Sequence, residues 1–331
     1  MAITQLNDVF IPEVYASMLE NNTPDRIEFV TSGVVVNQPI FTQLIGQQGQ
    51  VGTVPFFNDL DNTPASVSSD DPEDLITPDK VTTGTQTFVL HSLNKKFQYA
   101  DLAMERGLSD PMQYTRNRFA RYWQGELQAR IVGTLKGIMA DNIANNGSDM
   151  TTDKHATSGT PVDANRFSRD NFLEALGTMG DNYGTIQTAV VHSVIYNRIT
   201  QLEASNVQTD AQTGMPLAYL GQQVRLVVDD GVPTETINNQ TVYTTVLLGS
   251  GTIGYGNIPV RLPFELKHNA DAGNGRGVTN IYERQDWVIH PYGFAWDTNL
   301  TSVTRASLED AANWTRVYDA KSIPIRFLRT N

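Results

Sequence analysis

The sequence predicts an α+β protein built around one very long helix. Within residues 110–146, apolar side chains recur every four residues from Phe119 to Ile143. Runs rich in β-branched and aromatic residues flank that segment, at 51–101 and 277–298. Between them, from about 167 to 275, helical and strand-like patterns alternate as in a compact layer of both.

Taken in order, residues 1–48 open with a short helical pattern, Pro12 to Leu19, and continue as an irregular stretch rich in Gln and Val. Too little of it is apolar to form a core alone, so it reads as an arm. The strand-like runs "VGTVPFFNDL" and "KVTTGTQTFVLHSLNKKFQYA" enclose "DNTPASVSSDDPEDLITPD", with three prolines and a dense group of acids. This is the pattern of a long β-hairpin with a polar tip. A hairpin of that length is marginal alone and needs another surface.

Asp110 is a good N-cap for the long helix, with Pro111 at its first position and Gln113 completing a capping box. Phe119, Trp123, Leu127, Ile131, Leu135, Met139 and Ile143 follow at intervals of four, and "NNG" at 145–147 ends the run. Such a helix is about 55 Å long. A four-residue row drifts around the axis, so the buried stripe winds and the helix serves as a beam. Its period is not the 3.5 of a coiled coil.

Residues 147–166 are polar and turn-rich. A helix capped by Ser168 follows, then a strand "IQTAVV", a helix "VIYNRITQLEAS", and strands at "QQVRLVV" and "TVYTTVLLGSGTIGYG". Residues 277–298 read as two strands joined near Gln285 and Asp286. A short helix with Ser307 as N-cap and a final strand "IPIRFL" complete the chain.

Composition excludes several functions. The 331 residues include no cysteine, which removes disulfides, cysteine metal sites and thiol nucleophiles, and fits a reducing compartment. No window is apolar for the length of a membrane span, and the N-terminal residues lack the layout of a signal peptide. A net charge of -12 argues against a broad nucleic-acid-reading face. Locally, Arg116, Arg118, Arg121, Arg130 and Lys136 make the long helix basic; they are either ordinary solvated charges or contacts to acidic neighbours or phosphates.

The most suggestive motif is G-x-G-x-x-G, formed by Gly249, Gly251 and Gly254 after an apolar strand. A dinucleotide site needs a helix to start there, with the pyrophosphate at its N-terminus. Here Tyr255, Gly256, Asn257, Ile258 and Pro259 follow, and no acid stands at the end of a next strand. The glycines fit a strand end needing positive φ or close backbone approach. His91, His155, His192, His268 and His290 are scattered without metal spacing. Ser193 lacks the glycines of a nucleophile elbow. Asp229 and Asp230 are adjacent and point apart, in a turn before Gly231. Asp70, Asp71, Glu73 and Asp74 lack the glycine and terminal glutamate of a calcium loop. The expectation is no catalytic residue, no cofactor and no metal.

The order of parts resembles the major capsid proteins of tailed bacteriophages, with the fold named after phage Hong Kong 97. "RYWQGELQARIVGTLKGIMADN" resembles their spine helix, and "FLEALGTMGDNYGTIQTAVVHSVIYNRITQ" the start of their axial domain. "RLVVDDGVP" and "YTTVLLGSGTIGYGN" resemble later axial strands, and "ERQDWVIHPYGFAW" the return to the peripheral domain. The resemblance covers about 10 to 325. It implies an N-terminal arm at 1–48, an extended loop at 49–100, a peripheral domain at 101–165 with 277–331, and an axial domain at 166–276.

It further implies self-assembly through hexamers and pentamers into an icosahedral shell around double-stranded DNA, built in the bacterial host cytoplasm. The extended loop would lie on a neighbouring subunit. A portal would occupy one vertex, scaffolding and decoration proteins are possible partners, and no membrane is involved. Some relatives begin with a charged scaffolding segment; none is present here, which points to a separate scaffolding protein or none. The prototype crosslinks its shell through lysine and asparagine. Lys80, Lys95 and Lys96 lie in or beside the loop, but no acid or acceptor is identified and crosslinking is not carried over. The alternatives are an encapsulin-type nanocompartment shell enclosing cargo enzymes, a soluble enzyme using Gly249–Gly254, and a minor decoration protein.

Overall fold

A computed structural model of the chain describes residues 32–60, 63–68, 70–73, 75–106, 111–202, 208–209, 216–218, 224–297 and 302–331. The helix expected at Pro12–Leu19 lies outside the described residues, as do the Asp110 cap and the Gln113 side chain.

The first described elements are strand β1 (Val35–Asn37), helix α1 (Pro39–Gln48) and strand β2 (Val51–Phe57). β2 pairs antiparallel with the first half of the 18-residue β3 (Thr83–Ala100), from Val51 opposite Val89 to Phe57 opposite Thr83. A short α2 (Asp101–Arg106) precedes α3 (Pro111–Asn145), the 35-residue spine. Asn142 fastens the spine's end to β4 (Thr151–Asp153): its Oδ1 accepts from the Met150 amide at 3.2 Å and the Thr151 hydroxyl at 3.0 Å.

Helix α4 (Arg169–Gly177) starts as expected, with the Ser168 hydroxyl accepting from the Asn171 amide at 3.2 Å. Strand β5 (Ile186–Val191) and helix α5 (Ser193–Leu202) follow, then a small ribbon of β6 (Gln208–Thr209) and β7 (Pro216–Ala218). Strands β8 (Arg225–Val228), β9 (Thr234–Ile237), β10 (Gln240–Gly249), β11 (Ile253–Ile258) and β12 (Phe264–Asn269) come next. The last elements are β13 (Val278–Pro291), β14 (Phe294–Trp296), α6 (Arg305–Glu309), β15 (Trp314–Arg316) and β16 (Ile325–Thr330).

These strands build two six-stranded sheets. The first runs β1-β11-β13-β3-β2, with β12 also on β13; the second runs β4-β16-β10-β5-β8, with β9 on β10. The stretch read as one strand, "TVYTTVLLGSGTIGYG", is therefore two: β10 belongs to the second sheet and β11 to the first. The stretch read as two strands broken near Gln285 is one, β13, continuous through Gln285 and Asp286 because each is held opposite β3, against Leu93 and Ser92. The turn comes later, at Gly293, where φ is +83°. The N-cap of α6 is Thr304, not Ser307. The Thr304 hydroxyl accepts from the Ser307 amide at 3.1 Å while Ser307 Oγ accepts from the Thr304 amide, a reciprocal pair that places Ser307 at N3.

Sheet membership does not follow the boundaries expected at 165/166 and 276/277. β11 and β12 fall inside 166–276 but lie in the first sheet, while β4 and β16 fall outside it but lie in the second. Local pattern reveals that a segment is a strand; which sheet it joins is set by partners up to 218 residues away, as for Val35 and Ile253.

The spine connects the two sheets. Near its start Phe119 and Trp123 pack with Tyr99, Ile281 and Trp287 of the first sheet. Further along, Ile131, Leu135, Ile138 and Met139 pack in a common core with Val89 and Ile289 of the first sheet and Val190, Val246 and Phe327 of the second. Leu308 and Trp314 press on the same helix, and Gly137 gives them room: a Cβ there would run into the Leu308 carbonyl oxygen and stand 2.5 Å from Trp314 Nε1. Buried on so many sides, the helix is a beam rather than a surface element. Helices α4 and α5 cover the far side of the second sheet, through Phe172, Leu176, Ile195 and Ile199.

Candidate assembly surfaces

The glycine stretch joins the two sheets. Gly249 ends β10 at a register shift, and Gly251 turns the chain with φ of +69°. Gly254 and Gly256 then lie beneath the arm. A Cβ on Gly254 would sit 2.6 Å from Phe41 Cε2, and one on Gly256 would sit 3.0 Å from Phe41 Cβ. β1 runs parallel to β11, Val35 beside Ile253, and α1 lays Phe41 and Ile45 on Phe88 and Val288. The Phe41 and Phe88 ring centroids are 4.7 Å apart. The groove that a nucleotide would need is filled by the chain's own arm.

The hairpin continues past its ladder. The Asn58 amide donates to the Thr82 carbonyl at 2.9 Å, and Thr63 Oγ1 donates to Asp79 at 3.2 Å. From there the tip is exposed: Leu75 is 82%, Ile76 78% and Val67 91% accessible. Residues 58–82 hold seven acids and one lysine, a charge of -6 out of the chain's -12.

The described titratable groups are mostly satisfied internally. His91 and His290 are buried on the first sheet and each is pushed down to about 3, by burial first and, for His91, by the Arg130 guanidinium. Gln86 Nε2 donates to His290 Nε2 at 2.8 Å. Glu126 receives Arg130 Nε at 2.8 Å and the Arg305 guanidinium; burial alone would raise its carboxyl, but those two cations hold it below its usual range. Arg130 also donates to the Val303 carbonyl at 3.0 Å. Arg130 is thus a core residue, and Lys136 pairs with Glu309 at 3.1 Å, so two of the five basic spine residues serve internal acids.

An open cleft of about 870 Å³ lies between the spine, α6 and the β8–β9 turn. Ser193, Asp229 and Asp230 line it, the most enzyme-like grouping in the described residues. Its geometry is that of a helix cap. Asp230 Oδ1 accepts from the Ser193 amide at 2.9 Å, and His192 Nδ1 accepts from the Val194 amide at 3.2 Å. Ser193 Oγ and Asp230 both approach the same nitrogen, His192 Nδ1, at 3.5 and 3.6 Å, so no relay through two ring nitrogens is formed. Asp229 accepts from the Gly231 amide at 2.8 Å and from Gln128. No group of three or more potential metal ligands occurs among the described residues.

The lysines beside the loop take opposite faces of β3. Lys95 lies over Tyr122, 5.1 Å from the ring centre; Lys96 lies over Tyr282 at 5.4 Å. Sequence reading missed the Glu126–Arg130–Arg305 hub. The four-residue spacing of Glu126 and Arg130 was a visible signal for half of it. It also missed Arg326, fully buried and donating to the Ile323, Ile325 and Ala320 carbonyls.

Comparison with known proteins agrees with this architecture. The chain is 31% identical over 332 residues to the major capsid protein of Bacillus phage SPP1, covering 98% of this chain and 97% of that protein. Its fold is similar to the capsid of Ralstonia phage GP4 (TM-score 0.61, 10% identity, 96% and 95% of the two chains). It is likewise similar to the capsid of cyanophage Pam1 (TM-score 0.60, 9% identity, 97% and 98%). These are Hong Kong 97-type capsid folds, and nothing in them supports the nanocompartment alternative. A model of the Gp13-like family, described as major capsid protein 13-like, matches residues 46–323. Matched over most of its length by sequence and by fold, the chain belongs to the Gp13-like family, the major capsid proteins of tailed phages.

Proposed function

We propose that this capsid protein forms its shell from hexamers and pentamers joined through the extended hairpin and the arm, acting as a structural subunit without catalysis. The observation that carries this reading is the hairpin tip, whose apolar side chains stand in solvent in the single subunit. In the proposed division, the arm, the hairpin, the spine and the first sheet form the arm, extended loop and peripheral domain. The second sheet with α4 and α5 forms the axial domain.

The shell would enclose double-stranded DNA, contacted without sequence preference, with a portal at one vertex and scaffolding or decoration proteins as further partners. Assembly would take place in the host cytoplasm. No described helix is long and apolar enough to cross a membrane. The test is to purify the full chain and examine it by size-exclusion chromatography and negative-stain microscopy. Capsomers, tubes or closed shells are expected; a monomer in every buffer, with or without a scaffolding partner, overturns the reading.

A further inference from the structure

Strand β12 stands at an edge of the first sheet. It pairs with β13 on one side, and no described strand pairs with it on the other. Phe97, Ile281 and Leu266 lie in one row across β3, β13 and β12, on the side facing the spine. Ile281 is fully buried, yet Leu266 at the end of the row is 46% accessible, and Leu262 just before the strand is 55% accessible. The apolar layer therefore runs out into solvent at this edge. An open edge of that kind is a template for another strand.

Ladder alternation sets which backbone groups face outward. The Arg284 amide donates to the Pro263 carbonyl at 2.8 Å, so Glu265, Lys267 and Asn269 turn their N–H and C=O toward β13. Leu266 and His268 turn theirs away from it. An incoming strand must bring its own outward-turned residues opposite these.

The charged side chains choose among the registers that remain. Lys267 is exposed and has no ion pair among the described residues, while Glu265 meets Arg284 at 2.8 Å and stays 39% accessible. Consider two copies of β12 run antiparallel about a two-fold axis. With the axis at Glu265 or at Lys267, each of those residues faces its own copy, like charge against like. An axis at Phe264 sets Lys267 opposite Arg261, and one at His268 sets Glu265 opposite Asp271. With the axis at Leu266, Glu265 of each copy lies opposite Lys267 of the other, on one face and at the position where side chains approach most closely. Leu266 then meets Leu266, and the two backbones exchange a pair of hydrogen bonds. The run Glu-Leu-Lys at 265–267 is complementary in charge to its own reverse.

We infer that β12 pairs with β12 of a second copy about a two-fold axis at Leu266, and that this contact joins one ring of subunits to the next. The inference rests on the assembly reading above. Neighbours within a ring of five or six are related by the ring's own rotation, so a two-fold contact between strands links copies in different rings.

The chain has no cysteine, so a single introduced one can form a disulfide only between copies. In the full-length chain, Leu266→Cys brings two Cα atoms to about 5.5 Å, within disulfide reach. Leu262→Cys sets them about 27 Å apart in the same register and serves as the control. Mild oxidation of assembled particles should give covalent dimers of Leu266→Cys at about ten times the control level or more. Glu265→Lys and Lys267→Glu each put like charges opposite and should each lower particle yield about fivefold or more, and the double swap of both should restore it. Urea midpoints of the unassembled variants should stay near the parent's, because the Glu265–Arg284 pair is an exposed one. Leu266→Cys without dimers, single reversals without effect, or a swap that does not rescue overturns the inference and leaves shell formation standing; an edge covered by residues 1–31 of the same chain would give the first two results. A parent chain that never assembles overturns the assembly reading. The disulfide is then sought in the concentrated unassembled chain, where its absence overturns this inference as well.

Discussion

Gly254→Ala adds one methyl group where the arm crosses the first sheet. That methyl would lie 2.6 Å from Phe41 Cε2, 2.9 Å from Cζ and 3.1 Å from Gln38 Cδ. Ordinary carbon–carbon contact needs about 3.5–4.0 Å, so the ring must retreat by roughly 1 Å. Phe41 is buried between Phe88 and Val288, so it cannot retreat without opening that packing. Overpacking of this kind costs about 1–3 kcal/mol. Phe41→Ala costs about 3–5 kcal/mol by itself, through lost burial and the cavity left behind. In the double variant the added methyl meets no ring, so the two costs should fail to add by about 1–3 kcal/mol. Urea unfolding of unassembled subunits, followed by circular dichroism, measures all four corners of the cycle. Limited proteolysis within residues 32–48 should accelerate in Gly254→Ala. Simple additivity would show that Gly254 is not there for the approach of Phe41, and the structural reading of the glycine motif would fail.

Three further sets of spine and core substitutions give sharper contrasts. Gly137→Ala should be destabilising by about 3 kcal/mol or slightly less, since its Cβ meets a backbone carbonyl that cannot turn aside, whereas Gly125→Ala meets nothing and should gain up to about 1 kcal/mol of helix propensity; thermal melts of the pair decide. Glu126→Gln leaves the buried Arg130 without a counter-charge and should cost roughly 3–5 kcal/mol, read as a lower urea midpoint. His91 and His290 titrate at about 3 in the fold against 6.5 when exposed, so the unfolded chain binds more protons between those values. Stability is therefore full above about 6.5 and falls as pH drops toward 3. Urea midpoints at pH 7, 6 and 5 should decline, and the double variant His91→Gln with His290→Gln should decline less steeply.

Elements whose cause is local were legible in the sequence. The spine's row from Phe119 to Met139 and its start at Pro111 needed only a period and a breaker, and the Ser168 cap needed only its own hydroxyl. The hairpin was legible because both of its strands and its polar tip are contiguous. Elements whose cause is remote were not. Nothing between Val246 and Gly256 says that β10 pairs with β5 and β16 while β11 pairs with β13 and β1. Gln285 and Asp286 look like turn residues, yet they stay in strand because β3 supplies the ladder on one side. The hub at Glu126 was half visible, since Arg130 is one helical turn away but Arg305 arrives from 179 positions on. The exposed tip, by contrast, was read correctly as polar, while its large apolar side chains gain meaning only once the fold shows them exposed among the described residues.

The interleaving of the two sheets bears on how such genes can exchange parts. The first sheet draws strands from Val35 to Pro291 and the second from Thr151 to Thr330. A single crossover between two parental genes, anywhere from residue 38 to 324, gives at least one sheet strands of mixed ancestry. Between 154 and 277 it does so to both. Recombinant coat proteins of this architecture therefore stay folded only where the parents agree at the strand pairs themselves, Phe327 beside Thr151 or Val246 beside Val190 for example. Whole-gene transfer, or exchange confined to the hairpin tip at 58–82, avoids that constraint, so variation between relatives should collect in the tip sooner than in either sheet.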